Sequence, residues 1–237
     1  MPTGLVEINK GKEVKFKGYV TAPANGVYPG VLLLHQEFGI DANIRNMAEL
    51  CAAKGYTVFV PDLFWRDLPG CELNSNKESD LDQATKIIKN YNIDKGYEDI
   101  VSCLQWLRET PQCNGLVTTI GYGIGANLSY LSGLWLDIES SVCYDFEGFD
   151  FFQEHDTFIR RPMLIHLCKV TYNNLKENNK LKFLDNVNNI KLKLYNNCEK
   201  NFTRISDKSF NELEMLNSQK KTFNHILAAF NNPHTHS

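Results

Sequence analysis

The chain has 237 residues, 43% of them hydrophobic and 22% charged, with a formal net charge of −3. At this length one α/β domain buries about 70–75% of its unfolded surface, so the core needs no disulfide or metal staples. The slightly acidic balance argues against nucleic-acid or anionic-membrane partners, and no stretch reaches the ~20 apolar residues of a membrane span.

In chain order, Met1–Lys17 holds no apolar run of signal-peptide length. Val14–Val20 alternates as an antiparallel edge strand, followed by buried-strand runs at Gly30–His35 and Tyr56–Val60. Between those two runs, Ile44–Lys54 places Ile44, Met47, Ala48 and Cys51 on one helical face. Lys77–Tyr91 reads as a surface helix with Ala84, Ile87 and Ile88 on its stripe, and Tyr97–Arg108 gathers Ile100, Val101, Leu104 and Leu107. Leu116–Gly121 is a strand and Ile124–Trp135 a helix. Strands follow at Ser141–Asp145, Met163–Leu167 and Ile190–Tyr195, with a closing helix over Phe210–Phe230. Asn-rich pieces such as Asn173–Lys180 read as polar loops, and Asn231–Ser237 as a frayed tail. Strands alternating with helices predict βαβ units and a mostly parallel sheet with helices on both faces, in a single domain over residues 1–237.

The seven cysteines, at 51, 71, 103, 113, 143, 168 and 198, show no Cys-x-x-Cys spacing and mostly lie in apolar runs. They read as reduced thiols packed as small hydrophobes, which places the protein in the cytoplasm. Neither His35 nor His166 has a sequence neighbour that makes a metal site, and His166 reads as a core histidine. No metal or cofactor is expected. Residues 121–125, Gly-Tyr-Gly-Ile-Gly, resemble a dinucleotide-binding turn superficially, but the third glycine of Gly-x-Gly-x-x-Gly comes one residue early.

The same residues make a better match to a nucleophile elbow, the strained strand-to-helix turn Gly-x-Ser-x-Gly or its cysteine version. Gly121 and Gly125 are its small flanking residues, and Gly123 stands where the nucleophile belongs. Four blocks then carry a wider likeness: VLLLHQEFGI at 31–40, GYTVFVPDLFWR at 55–66, VTTIGYGIGA at 117–126 and YNNCEKNFTR at 195–204. Over nearly the whole chain they resemble the dienelactone hydrolase family, carboxymethylenebutenolidase-like α/β-hydrolases. The resemblance implies that fold and acyl-transfer chemistry by a Cys-His-Asp triad on a lactone.

Carried over residue by residue, the family's cysteine falls at Gly123, its histidine at Lys200 and its aspartate at about Thr171, so all three are substituted. Its glutamate falls at Gln36 without gaps, or at Glu37 with a one-residue deletion. Arg204 matches an arginine that holds the substrate carboxylate, whereas a second, expected near Leu81, has no counterpart. Glycine relieves the strain of the elbow turn. A lysine, ordinarily protonated up to ~10.4, serves as a base only after strong desolvation, and threonine supplies no anion to orient an imidazole. Losing nucleophile and base removes on the order of 10⁶ in kcat. An oxyanion hole of backbone N–H groups at Ile124 and at Glu37 or Phe38 survives such losses.

Three readings follow. The first is a catalytically degenerate homologue that binds a small carboxylate or lactone, or serves as a regulatory or scaffold subunit. The second is an ester hydrolase with a relocated nucleophile, Cys168 or Cys198, whose thiol Lys200 would activate. The third is an interaction protein whose pocket is filled by aromatics such as Phe64, Trp65, Phe149 and Phe151. The oligomeric state is not encoded in any pattern found.

Overall fold

A sheet of eight strands carries the structure, a computed structural model that describes residues 3–10, 14–146, 161–181 and 189–232. The strands are β1 (Gly4–Lys10), β2 (Val14–Thr21), β3 (Tyr28–Leu34), β4 (Thr57–Pro61), β5 (Cys113–Tyr122), β6 (Ser140–Tyr144), β7 (Met163–Cys168) and β8 (Ile190–Tyr195). Their spatial order is β1-β2-β4-β3-β5-β6-β7-β8, antiparallel for β1/β2 and β2/β4 and parallel from β4 onwards. The helices are α1 (Ala42–Ala53), α2 (Glu78–Asn90), α3 (Ile93–Glu109), α4 (Ile124–Trp135), α5 (Lys169–Glu177) and α6 (Glu212–Asn231).

Alternation along the central strands divides the core. Leu32, Leu34 and Phe59 pack with Ile100, Leu104 and Leu107 of α3 and Leu128 of α4. Val31, Leu33, Val58 and Val60 face the other way, towards Ile44, Met47 and Cys51 of α1 and Ile226 of α6. Both faces are thus covered, as a parallel sheet requires. None of the described helices is long and apolar enough to cross a membrane.

Three expectations are corrected. Val14–Val20 lies inside the sheet, because β1 pairs along its outer side from Gly4↔Val20 to Lys10↔Val14. The stretch from Asn173, expected to be loop, continues α5 as far as Glu177. Leu175 is buried against the β7 side of the core, so one apolar contact outweighs weak asparagine propensity. The expected helix at Tyr97 begins earlier, at Ile93, where the Asn92 side chain accepts the Lys95 N–H as an N-cap.

The chain reverses its strand order between β3 and β5, which are neighbours with Leu34 opposite Gly121. Ligands of open α/β sheets sit at the carboxyl ends of strands flanking such a switch point. Here that point brings residues 35–38, after β3, beside 123–124, after β5.

Candidate functional site

The turn after β5 is built by glycines for steric reasons. A Cβ on Gly121 would lie 2.0 Å from the Gly125 carbonyl oxygen, and one on Gly125 would lie 2.4 Å from that of Leu34. Those approaches let α4 start directly over β3. Gly123 caps α4 with φ 53° and ψ −118°, a conformation hostile to most side chains. Its N–H donates to the Tyr144 carbonyl of β6 at 3.1 Å, and its own carbonyl accepts from Ala126 N–H at 2.9 Å. Backbone contacts therefore hold the elbow without help from a side chain at its apex.

What faces the apex is Glu37. A Cβ built on Gly123 would stand 2.7 Å from Glu37 Oε2 and 3.1 Å from Gln36 Cβ. Around this point opens a cleft of about 240 Å³. Glu37, Phe38, Ile124, Asn127 and Lys200 line it, with Leu81, Thr85 and Ile88 of α2 forming the far wall. The cleft lies on the α3/α4 side of the sheet, since Ala84, which also lines it, packs in that half of the core. Leu81, where a second arginine was sought, supplies only apolar surface here. The Ile124 N–H is the first of α4 and has no preceding helical turn to supply it a carbonyl. A helix N-terminus, the Glu37 carboxylate and Lys200 thus border one small cleft, which suits a polar ligand with an oxygen to place.

The residues expected as site members separate into three groups. Gly123, Ile124, Glu37 and Lys200 meet in the cleft. Gln36 and Arg204 line a different cavity, on the α1/α6 side. Between the two stands Phe38, whose ring lines the cleft while the Arg204 guanidinium lies 4.2 Å over its centroid. Arg204 is buried, pairs through Nη2 with Asp41 Oδ2 at 2.5 Å, and donates from Nε to Ser75 Oγ at 3.3 Å. Asp41 is in turn the N-cap of α1, accepting the Ile44 N–H at 3.0 Å. Arg204 is therefore held by the fold rather than presented to the elbow.

The third group lies at the ends of β7 and β8. Thr171 sits in the first turn of α5, with its hydroxyl 3.1 Å from Cys168 Sγ, and lines neither cavity. Cys168 is fully buried. The Cys198 thiol donates to the Tyr195 carbonyl at 3.6 Å, and burial pushes it up to about 12, with Cys168, Asp145 and Glu214 adding to the rise. The shift runs opposite to the lowering by Lys200 that the relocated-nucleophile reading invokes.

The imidazoles of the described core have other tasks. His166 is bonded on both ring nitrogens, Nδ1 with the Tyr195 hydroxyl at 2.7 Å and Nε2 with Thr222 Oγ1 at 3.0 Å. It stacks on Tyr144 at 4.3 Å, and burial lowers its pKa to about 3. His35 Nε2 accepts the Leu63 N–H at 3.0 Å while Nδ1 meets the Gln36 carbonyl at 2.7 Å, so the ring is neutral, and burial lowers its pKa.

Of the aromatics considered as pocket fillers, Phe64 packs edge-on to His35 and Tyr91, away from the cleft lining. Trp65 stacks on Phe16 at 5.4 Å and donates to Asp99 Oδ2 at 2.9 Å. Neither fills the elbow cleft. Phe149 and Phe151 lie outside the described residues.

One residue was given no role in the sequence. Asp145, at the carboxyl end of β6, is buried with φ 54°, and its Oδ2 accepts the Asn201 N–H at 3.1 Å. Asn201 is itself left-handed at φ 67°, a conformation that asparagine and aspartate tolerate better than most residues. The carboxylate thereby anchors the turn that carries Lys200. An acid ending a buried strand at the ligand-bearing edge was the available signal.

The model of the "Dienelactone hydrolase family" matches residues 16–231. Carboxymethylenebutenolidase 1 of Cupriavidus pinatubonensis is 28% identical over 162 residues, 68% of this chain and 69% of that protein. A carboxymethylenebutenolidase of Pseudomonas sp. is 27% identical over 65% of this chain, and the match spans slightly less than two thirds, 64%, of its length. Among solved structures, a putative dienelactone hydrolase from Klebsiella pneumoniae superposes with a TM-score of 0.78 at 12% identity, covering 96% of this chain and 99% of that one. A dienelactone hydrolase-like promiscuous phosphotriesterase from metagenomic libraries gives 0.73 at 14% identity, with coverage of 96% and 98%.

Proposed function

Because the chain belongs to the dienelactone hydrolase family, we propose that it keeps the family's elbow cleft as a ligand site but has lost covalent hydrolysis. It acts as a binder of a small carboxylate or lactone, or as a regulatory homologue. The observation that carries this reading is Gly123: the apex of the elbow has no side chain, and a carboxylate oxygen stands 2.7 Å from where its Cβ would be. Lys200 at the histidine position and Thr171, away from the cleft, remove the proton-transfer partners as well. What remains suits binding: a border formed by the α4 N-terminus at Ile124 and by Lys200, with an apolar wall of Phe38, Leu81 and Ile88.

The test is hydrolysis of dienelactone and p-nitrophenyl acetate by the purified protein, beside calorimetric titration with dienelactone. We expect turnover at the buffer rate and saturable binding that Lys200→Ala weakens. Hydrolysis at rates typical of the family refutes the loss of chemistry, and absence of binding refutes the ligand role.

The names of the matched relatives favour a second reading, an active carboxylic-ester hydrolase with relocated catalytic groups. It requires Cys168 or Cys198 to be labelled by a thiol-directed ester probe and Cys→Ala to abolish turnover. The raised Cys198 thiol and the buried Cys168 oppose it.

A further inference from the structure

The elbow lacks a nucleophile but holds a carboxylate. Glu37 lines the cleft and makes no hydrogen bond or ion pair with the other described residues. Its Oε2 stands 2.7 Å from the point where a Gly123 Cβ would be. Covalent geometry puts the Ile124 nitrogen ~3 Å from that same point, and the N–H there has no helical carbonyl to bind. A carboxylate and a backbone donor thus flank a space that glycine leaves open. The oxygen and the α-carbon of a carbonyl compound lie about 2.4 Å apart. A carbonyl seated in that space turns its oxygen to the Ile124 N–H and its α C–H to Glu37.

We propose that the cleft catalyses proton transfer α to a carbonyl, moving the double bond of a small uncharged β,γ-unsaturated carbonyl compound into conjugation, with Glu37 as the base. The inference rests on the reading of the elbow as a ligand cleft without a nucleophile. The Glu37 carboxylate takes a proton from the α-carbon, and the C–H electron pair becomes the new double bond of a dienolate. The Ile124 N–H stabilises the negative charge that develops on the carbonyl oxygen. The Glu37 carboxyl then returns a proton to the γ-carbon, the carbonyl reforms and the α,β double bond remains. Reactant and product are isomers, so no oxidant or co-reactant is consumed. Charge selects the substrate. A ligand carboxylate at the apex meets Glu37, whereas with an uncharged ligand Glu37 becomes neutral as the oxygen becomes negative, and the net charge of the cleft stays constant. Size agrees: a cavity of ~150 Å³ accommodates benzene, so the cleft of about 240 Å³ takes a five- or six-membered ring against Phe38, Leu81 and Ile88.

The experiment follows α-angelica lactone with the full chain by proton NMR, which separates the conjugated β-isomer from 4-oxopentanoate, the hydrolysis product. We expect the β-isomer to form at least about tenfold faster than in buffer, and Glu37→Gln to return the rate to that of buffer, since a positioned base contributes about 10²–10⁴-fold. Glu37→Gln should still bind the β-isomer in calorimetry. Glu37→Asp, which withdraws the acid by one methylene, keeps a reduced rate and carries the test if Glu37→Gln does not fold. Thr85→Trp, which narrows the cleft from α2, abolishes isomerisation, whereas Leu50→Trp, in the cavity on the α1/α6 side, leaves it unchanged. Saturable binding of the lactone with isomerisation at the buffer rate overturns the proposal and leaves the ligand reading intact. Isomerisation undiminished in Glu37→Gln, or insensitive to Thr85→Trp, also overturns it. Release of 4-oxopentanoate above the buffer rate overturns both readings.

Discussion

Glu37 and Gly123 face each other across the strand-order switch, one ending the turn after β3 and the other opening α4. Glu37 Oε2 reaches to 2.7 Å of the position a Gly123 Cβ would take. The close atom is the far end of a flexible side chain, while the backbone at φ 53° and ψ −118° is fixed by its bonds to Tyr144 and Ala126. Strain on substitution therefore comes from the backbone, and the electrostatic penalty from Glu37.

Gly123→Cys is expected to destabilise the protein by about 1–3 kcal/mol, the range for a side chain in such a conformation. Adding Glu37→Gln should recover less than about 0.5 kcal/mol, because the carboxylate can swing aside. The introduced thiol should behave differently. A neighbouring carboxylate raises its pKa, so alkylation of Gly123→Cys should become faster at neutral pH once Glu37→Gln is present. Urea unfolding and iodoacetamide kinetics on the single and double variants separate the two effects.

Arg204 and Asp41 are a buried pair, and removing either leaves the other uncompensated. Arg204→Leu or Asp41→Leu is expected to cost about 3–5 kcal/mol, with loss of the α1 N-cap adding to the second. The double variant should cost clearly less than the sum of the singles. Arg204→Lys should not rescue, since one ammonium cannot meet Asp41 and Ser75 while lying flat on Phe38. Denaturant unfolding of the four variants measures the coupling.

Acid should unfold the protein through its buried imidazoles. His166 is lowered to about 3 and His225 to about 4, both mainly by burial. The unfolded chain, with histidines near their ordinary 6.5, therefore binds protons that the folded chain excludes. Their contribution is fully present above pH 6.5 and falls as pH drops through 6 towards 4, by about 1.4 kcal/mol per pH unit for each ring. His225→Gln should reduce the slope of unfolding free energy against pH by about that amount between pH 6 and 4.5. An unchanged slope would show that His225 is not buried neutral.

Cys198 should be a poor nucleophile in the folded protein. With its thiol raised to about 12 by burial, alkylation at pH 8 should be far slower than for the unfolded chain. Lys200→Ala should change that rate less than twofold, whereas a thiol activated by Lys200 would lose most of its reactivity. Mass spectrometry of iodoacetamide adducts gives both rates.

The sequence by itself determined the α/β architecture, the mostly parallel sheet and the elbow glycines. Those features are written in local periodicity: buried runs at 30–35, 56–60 and 163–167, amphipathic stripes at 44–54 and 97–108, and glycines spaced for a turn. Local patterns failed where long-range packing decided, as with Leu175 holding α5 and β1 covering the edge of β2. Only the tertiary structure assigned Glu37 to the elbow cleft and Gln36 to the cavity behind it, because adjacent residues leaving a strand point to opposite faces and a register of one exchanges them. Only it paired Arg204 with Asp41 and Asp145 with Asn201, residues far apart in the chain and brought together where β3, β5, β6 and β8 end. A motif names the residue types at such a site. Whether a charge among them is free for a ligand depends on which distant side chain already holds it.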